Sequence, residues 1–262
     1  MLPLMGEDRT SPSSALKGRL ADVYVPALVD GSLEALSRRL GNRATIDDPM
    51  FGRASTLSSI DPLLEKVAAR FRGASATYRH VASATGVDRD VSEGMLEMST
   101  NGGRTEIPIA VVAERRRLRE IELRVYYATE ATDATGAAPR KSRAAFGRSR
   151  GEVAVPQIVA HVLDALRKGA VERVLAAFEE GSRWVDPLGR MFSKRDGAMA
   201  SFLSALGSRI TLDLTGAADD GRTCCIEVEL IRELMGEPEL AALSFERGES
   251  GLLRELRLYY EP

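Results

Sequence analysis

The chain has 262 residues, 36 basic and 38 acidic side chains and a net charge of −2, so one or two domains are expected and no strong field draws it to nucleic acid or an anionic membrane. No run approaches the ~18 apolar residues that cross a bilayer, and the opening MLPLMGEDRTSPSS has no cationic region leading into a long apolar core. The two cysteines, Cys224 and Cys225, are neighbours that a strand points to opposite faces, so a reduced, buried pair in a cytoplasmic protein is expected.

Residues 1–14 are small and polar and are expected to be poorly ordered. Leu16, Leu20, Val23, Tyr24, Ala27 and Leu28 follow at helical spacing, with Lys17, Arg19 and Asp22 off the stripe, so Tyr24 faces inward. Pro26 removes one hydrogen bond and crowds the Asp22 carbonyl, which predicts a kink. A break at Gly31, a second short amphipathic helix and the strand ATIDD come next, ending at Asp48 before Pro49. Ile46 and Asp48 share that strand's buried face. Asp61 as cap and Pro62 at the first helical position predict a third helix, striped by Ile60, Leu63, Leu64, Val67, Ala68 and Phe71 and stopped at Gly73. Four strands then fall near 76–84, 91–99, 106–114 and 118–128, with a turn at Gly102 and Gly103 and an Arg-rich connection at Arg115, Arg116 and Arg117. His80, in the middle of the first of these, reads as structural.

Residues 129–153 carry too few large apolar side chains to bury and read as a linker, with a solvated basic cluster at Arg140, Lys141, Arg143, Arg148 and Arg150. Beyond it the order returns. Val155, Ile158, Val159, Val162, Leu163 and Leu166 make a first stripe, and Val171, Val174, Leu175 and Phe178 a second. Ser193 and Asp196 stand at capping-box spacing before Met199, Phe202, Leu203 and Leu206, and strands fall near 209–216, 222–230, 239–247 and 252–260. Gly31 and Gly169 are 138 residues apart, as are Asp48 and Asp186, and ELRVYY returns as ELRLYY. The chain therefore reads as two copies of one plan: an α+β protein with domains at 15–128 and 154–262. Each would pack three helices on the concave side of a curved, mostly antiparallel sheet.

Tyr24, Gly31, the Asp48–Pro49 step and a closing strand ending in Tyr126 and Tyr127 resemble the ketosteroid isomerase and SnoaL-like branch of the nuclear-transport-factor-like cone fold. The resemblance covers nearly all of each half. It implies that Asp48 shuttles a proton beside a ketone while Tyr24 donates to the developing oxyanion, a base facing a preorganised donor in a dry pocket. The same reasoning carries to Asp186, where Val162 stands in place of the tyrosine, His161 lies one residue away and Trp184 lines the same strand face. The family's third group, a neutral carboxylic acid, falls on Ala110 and Leu243, neither of which can donate a hydrogen bond. The chain is also similar to fused polyether-forming epoxide hydrolases, which lack that acid and pair the aspartate with a second acid on the strand after the third helix. That strand offers Thr77 in the first half and Asp213 in the second.

These resemblances imply an acid–base enzyme, an isomerase or an epoxide-opening cyclase, acting without cofactor on an apolar polyketide- or steroid-like molecule. Asp48, Asp186, Tyr24 and Asp213 would be catalytic, and Ile46, Trp184, Ala110 and Leu243 would touch substrate. Two widely separated histidines give no metal-ligand spacing. The fused halves would pair as an intramolecular pseudo-dimer, with a further homodimer left open. The alternative is a non-catalytic binding or association module of the same fold, in which each Asp-Pro serves only as a turn former. The lining around the two aspartates separates these readings.

Overall fold

The computed structural model describes residues 17–100, 103–116, 120–128, 153–206, 210–232 and 239–260. The expected N-terminal tail, the basic cluster of the linker, Gly102 and Arg117 lie outside the described residues. The first half runs α1 (Leu20–Asp30), α2 (Leu33–Leu40), β1 (Ala44–Asp48), β2 (Gly52–Ala54), α3 (Leu57–Gly73), β3 (Thr77–Thr85), β4 (Arg89–Thr100), β5 (Gly103–Arg115) and β6 (Ile121–Tyr126). The second runs α4 (Gln157–Arg167), α5 (Val171–Ala176), β7 (Phe178–Val185), β8 (Met191–Ser193), α6 (Ala198–Leu206), β9 (Ile210–Asp219), β10 (Thr223–Arg232), β11 (Glu239–Arg247) and β12 (Leu253–Tyr260).

Each half forms one six-stranded sheet, ordered β2-β1-β6-β5-β4-β3 and β8-β7-β12-β11-β10-β9, the same permutation twice. Neighbours pair antiparallel except β1 with β6 and β7 with β12, which are parallel. The α+β class and the duplicated plan are therefore as the sequence indicated. Gly31 closes α1 in the left-handed region, at φ 79°, with its N–H on the Ala27 carbonyl.

Several elements differ from the sequence reading, which had no counterpart for β2 or β8. The third helix starts a turn earlier than Asp61, because Thr56 and Ser59 form a capping box, the Thr56 N–H donating to Ser59 Oγ at 3.1 Å. Asp61 instead accepts from Ser37 Oγ at 2.6 Å, which ties α3 to α2. Phe178 opens β7 rather than closing the helical stripe. The box expected at Ser193 does not form, since Ser193 ends β8; Asp196 accepts from the Ala198 N–H at 3.0 Å at the start of α6.

Strand alternation sorts side chains into three cores. Ile107, Ile109 and Val111 of β5 and Leu123 and Val125 of β6 join the helices in the first core. Ile226, Val228, Leu243 and Leu256 do the same in the second. The opposite sheet faces supply a third cluster drawn from both halves, including Val91, Ala110, Val112, Tyr126, Cys225, Leu240, Ala242 and Tyr259. Cys224 and Cys225 point into different clusters, as period two requires. Burial and the Asp219 charge push the Cys224 thiol up to about 12, and burial raises that of Cys225 well above its usual value. Both thiols are expected to resist iodoacetamide at pH near 8 in the native protein, because the thiolate is the nucleophile. Rapid native-state alkylation seen by mass spectrometry would contradict this.

Each sheet sends a buried glutamate into the other. Glu227 of β10 accepts from Arg124 Nε and Nη2 at 2.6 and 2.7 Å and from the Tyr126 hydroxyl at 2.6 Å. Reciprocally, Glu93 of β4 accepts from Arg257 Nε at 2.8 Å, the Tyr259 hydroxyl at 2.7 Å and Ser244 Oγ at 2.6 Å. The first socket has an extra cation: Arg89 pairs with Glu227 at 3.1 Å and with Glu114 at 3.0 Å. Its guanidinium fits because Gly216 stands opposite Glu227, and a Cβ there would overlap Arg89. Gly216→Ala should therefore expel Arg89 and cost about 1–3 kcal/mol. Unchanged stability in denaturant unfolding would show that the guanidinium can move aside freely.

Candidate functional site

β1 turns Asp48 inward because it shares a face with Ala44 and Ile46, both in the first core. Asp48 is 1% exposed. Its Oδ1 accepts from the Met50 and Phe51 backbone N–H groups, each at 2.9 Å, and from the Tyr127 hydroxyl at 3.1 Å. The carboxylate thus builds the turn after Pro49 and anchors the end of the closing strand. Tyr24 faces the same core, as its stripe indicated. Its hydroxyl is buried without a hydrogen-bond partner among the described residues. Burial, and then the Asp48 charge, push that phenol well above its usual pKa, so it stays a neutral O–H.

The second half repeats the turn with a difference. Asp186 Oδ1 accepts from the Leu188 and Arg190 N–H groups at 3.0 and 2.9 Å, while Oδ2 takes Arg190 Nε at 2.6 Å. Val162, in place of Tyr24, is an ordinary core side chain, and His161 is exposed. Trp184 is buried against Phe202 of α6, with ring centroids 5.3 Å apart. Ile46 and Leu243 are likewise core residues.

Two expectations need correction. Ala110 does not face the first interior: it packs between the sheets opposite Tyr126, while Ile109 and Val111 face the core. In the second half the residue opposite Tyr259 is Ala242, so Leu243 is one position out of step with Ala110. A slip of one residue changes the face. Asp213 does not join Asp186 either. It stands between Leu212 and Leu214, which both pack on the second core, so alternation places it on the other side of β9.

Two open pockets lie elsewhere. One, of about 330 Å³, is lined by Arg43, Arg53, Arg116, Glu120 and Glu122 among others, beside the parallel β1–β6 pair. Burial raises the Glu122 carboxyl despite the pull of Arg124, Arg116 and Arg53. The other, of about 530 Å³, is a groove between α1 and β3, lined by Arg19, Asp22, Pro26, Val29, Asp30, Tyr78, His80 and Ser83. None of the eight residues expected from the sequence lines either pocket.

The groove holds a continuous polar chain. Arg19 Nε donates to Asp22 Oδ2 at 2.8 Å and Ser83 Oγ donates to Asp22 Oδ1 at 2.7 Å. His80 Nε2 lies 2.8 Å from Ser83 Oγ. Because the serine proton goes to Asp22, Nε2 is the nitrogen of the imidazole that donates to Ser83 Oγ. Burial raises the Asp22 carboxyl, but the bonds from Ser83 and Arg19 outweigh it and leave the group below its usual range. A β-bulge between His80 and Ala82 makes the chain possible. In a regular strand residues three apart face opposite ways, and the extra residue returns Ser83 to the face of His80. His80 therefore has a partner, which its place in the sequence did not reveal. The helical spacing of Asp22, Pro26, Val29 and Asp30 on one face of α1 was the legible part of this wall.

Among the described residues, no helix is long and apolar enough to cross a membrane and no cluster of His, Cys, Asp or Glu could hold a metal ion. No family model and no curated protein matches the chain. Solved structures similar to it include an NTF2-like protein of unknown function from Cytophaga hutchinsonii, 12% identical over 44% of this chain and 96% of that one, with a TM-score of 0.35. A protein from Kribbella flavida named as a candidate ketosteroid isomerase is 19% identical over 40% of this chain and 76% of its own, with a TM-score of 0.36. The Anabaena (Nostoc) orange carotenoid protein binding canthaxanthin is 15% identical over 43% of this chain and 38% of its own, with a TM-score of 0.37.

Proposed function

We propose that this chain is a non-catalytic tandem association module, in which two helix-backed sheets pair through reciprocal glutamate plugs and the two expected acids serve as turn posts. The observation that carries this reading is the occupation of the two expected acids. Asp48 and Asp186 each commit one oxygen to two backbone N–H groups of the following turn, and neither lines the groove or the pocket beside β1. A general base needs a lone pair directed at substrate within an accessible cavity. Here those lone pairs hold the chain's own corners.

The acid–base reading on an apolar polyketide- or steroid-like molecule retains one specific observation, the unpartnered Tyr24 hydroxyl beside Asp48. Incubation of the purified chain with a β,γ-unsaturated ketone separates the two. No isomerisation above the buffer rate is expected. Turnover that Asp48→Asn lowers by about 10² or more would restore the enzyme reading.

A further inference from the structure

We infer that the α1–β3 groove is a binding site for a small organic cation, an ammonium carried on an aromatic or alicyclic group. The inference does not depend on the roles of the two turn aspartates, since neither Asp48 nor Asp186 lines the groove.

Its shape supplies an apolar floor and one aromatic face. Pro26 and Val29 of α1 and Tyr78 of β3 form the floor. Tyr78 lies across Gly94 on the adjacent strand, where a Cβ would overlap its ring. The glycine thus lets the ring lie against the sheet, and a ring so held can take a cation over its face.

The polar rim is rich in acceptors. Both oxygens of Asp22 are already bonded, by Ser83 and Arg19, and Arg19 also donates to Thr85 Oγ1. What remains at the groove is the exposed carboxylate of Asp30, beside the ring of His80. Asp30 forms no ion pair among the described residues. It also sits where a carboxylate is disfavoured, in the last turn of α1, which has no basic residue of its own. Arg72, the cation that approaches this helix end from α3, is paired with Glu65 at 3.8 Å. The lining therefore holds two carboxylates against one guanidinium, and a ligand of single positive charge balances it.

The test uses the full chain with 2-phenylethylammonium as probe and 2-phenylethanol as its neutral counterpart, followed by amide NMR titration. The ammonium should shift resonances of α1 and β3 and bind about tenfold more tightly than the alcohol. Asp30→Asn should remove that preference, and Gly94→Ala, which displaces the Tyr78 ring, should weaken both probes. Asp30 is exposed, so its substitution leaves the fold intact. Equal affinity for the two probes, shifts located elsewhere, or no saturation by about 10 mM would overturn the inference.

Discussion

Glu227→Ala should destabilise the protein by about 3 kcal/mol, because it strands two buried cations and a buried phenol at the contact between the sheets. The loss sits at the low end for a broken buried pair because Glu114 still holds Arg124 at 2.7 Å and Arg89 at 3.0 Å. It should also loosen the coupling between halves. Trp184 is the single tryptophan and belongs to the second core, so its fluorescence reports one half while far-ultraviolet circular dichroism reports both. The two unfolding curves should coincide in the wild type and separate in the variant. Coincident curves with unchanged stability would mean that the glutamate plug does not couple the halves.

The same residue sets a pH dependence. Burial raises the Glu227 carboxyl, but Arg124 and Arg89 overcome this and lower it from 4.5 to about 2. A carboxyl depressed in the folded state contributes stability that is fully present above its unfolded value and is lost as pH falls through the folded one. Stability should therefore decline between pH 4.5 and about 2, by roughly 3 kcal/mol from this group. Glu227→Gln should flatten that slope. A slope identical to the wild type would place the acid sensitivity in other carboxylates.

Asp48→Ala should cost about 2–4 kcal/mol, whereas Asp48→Asn should stay near wild-type stability. Alanine removes the shared acceptor of two half-buried backbone N–H groups and of the Tyr127 hydroxyl; a fully buried orphaned donor costs about 1–3 kcal/mol and a half-buried one less. Asparagine keeps a carbonyl oxygen that can accept the same bonds. Asp186→Ala should cost less, near 1 kcal/mol, because Arg190, 66% exposed on its side chain, can turn to water. Thermal unfolding of the three variants checks the order. Proton-transfer chemistry would add a second readout at Asp48: the asparagine variant would keep its stability but lose turnover. The alanine variant thus reports the corner post, and turnover of the asparagine variant reports the base.

Much of this architecture was legible before any coordinates. The repeat from Gly31 and Asp48 to Gly169 and Asp186, the period-two strands and the helical stripe through Tyr24 depend on local periodicity, which a sequence carries directly. Val111, Leu123 and Val125 could be placed on a buried face by alternation alone, and the α+β order followed. Register was harder, because the offset between the halves changes along the chain. The 138 residues separating Gly31 from Gly169 become 133 between Tyr126 and Tyr259 and 132 between Ala110 and Ala242, and that last step put Leu243 out of register with Ala110.

What the chain by itself determined is which residues must leave water: the duplicated stripes and strands, and an acid in each copy held near a core. What those acids touch was decided only by tertiary structure: the N–H groups of Met50 and Phe51 for Asp48, and those of Leu188 and Arg190 for Asp186. The Glu93 and Glu227 plugs were equally hidden, for their Arg and Tyr partners lie more than a hundred residues away on the opposite sheet. The bulge that lets His80 meet Ser83 shows the reason most plainly. One unpaired residue in a strand redirects every side chain beyond it, and pairing belongs to the assembled sheet rather than to any segment read alone.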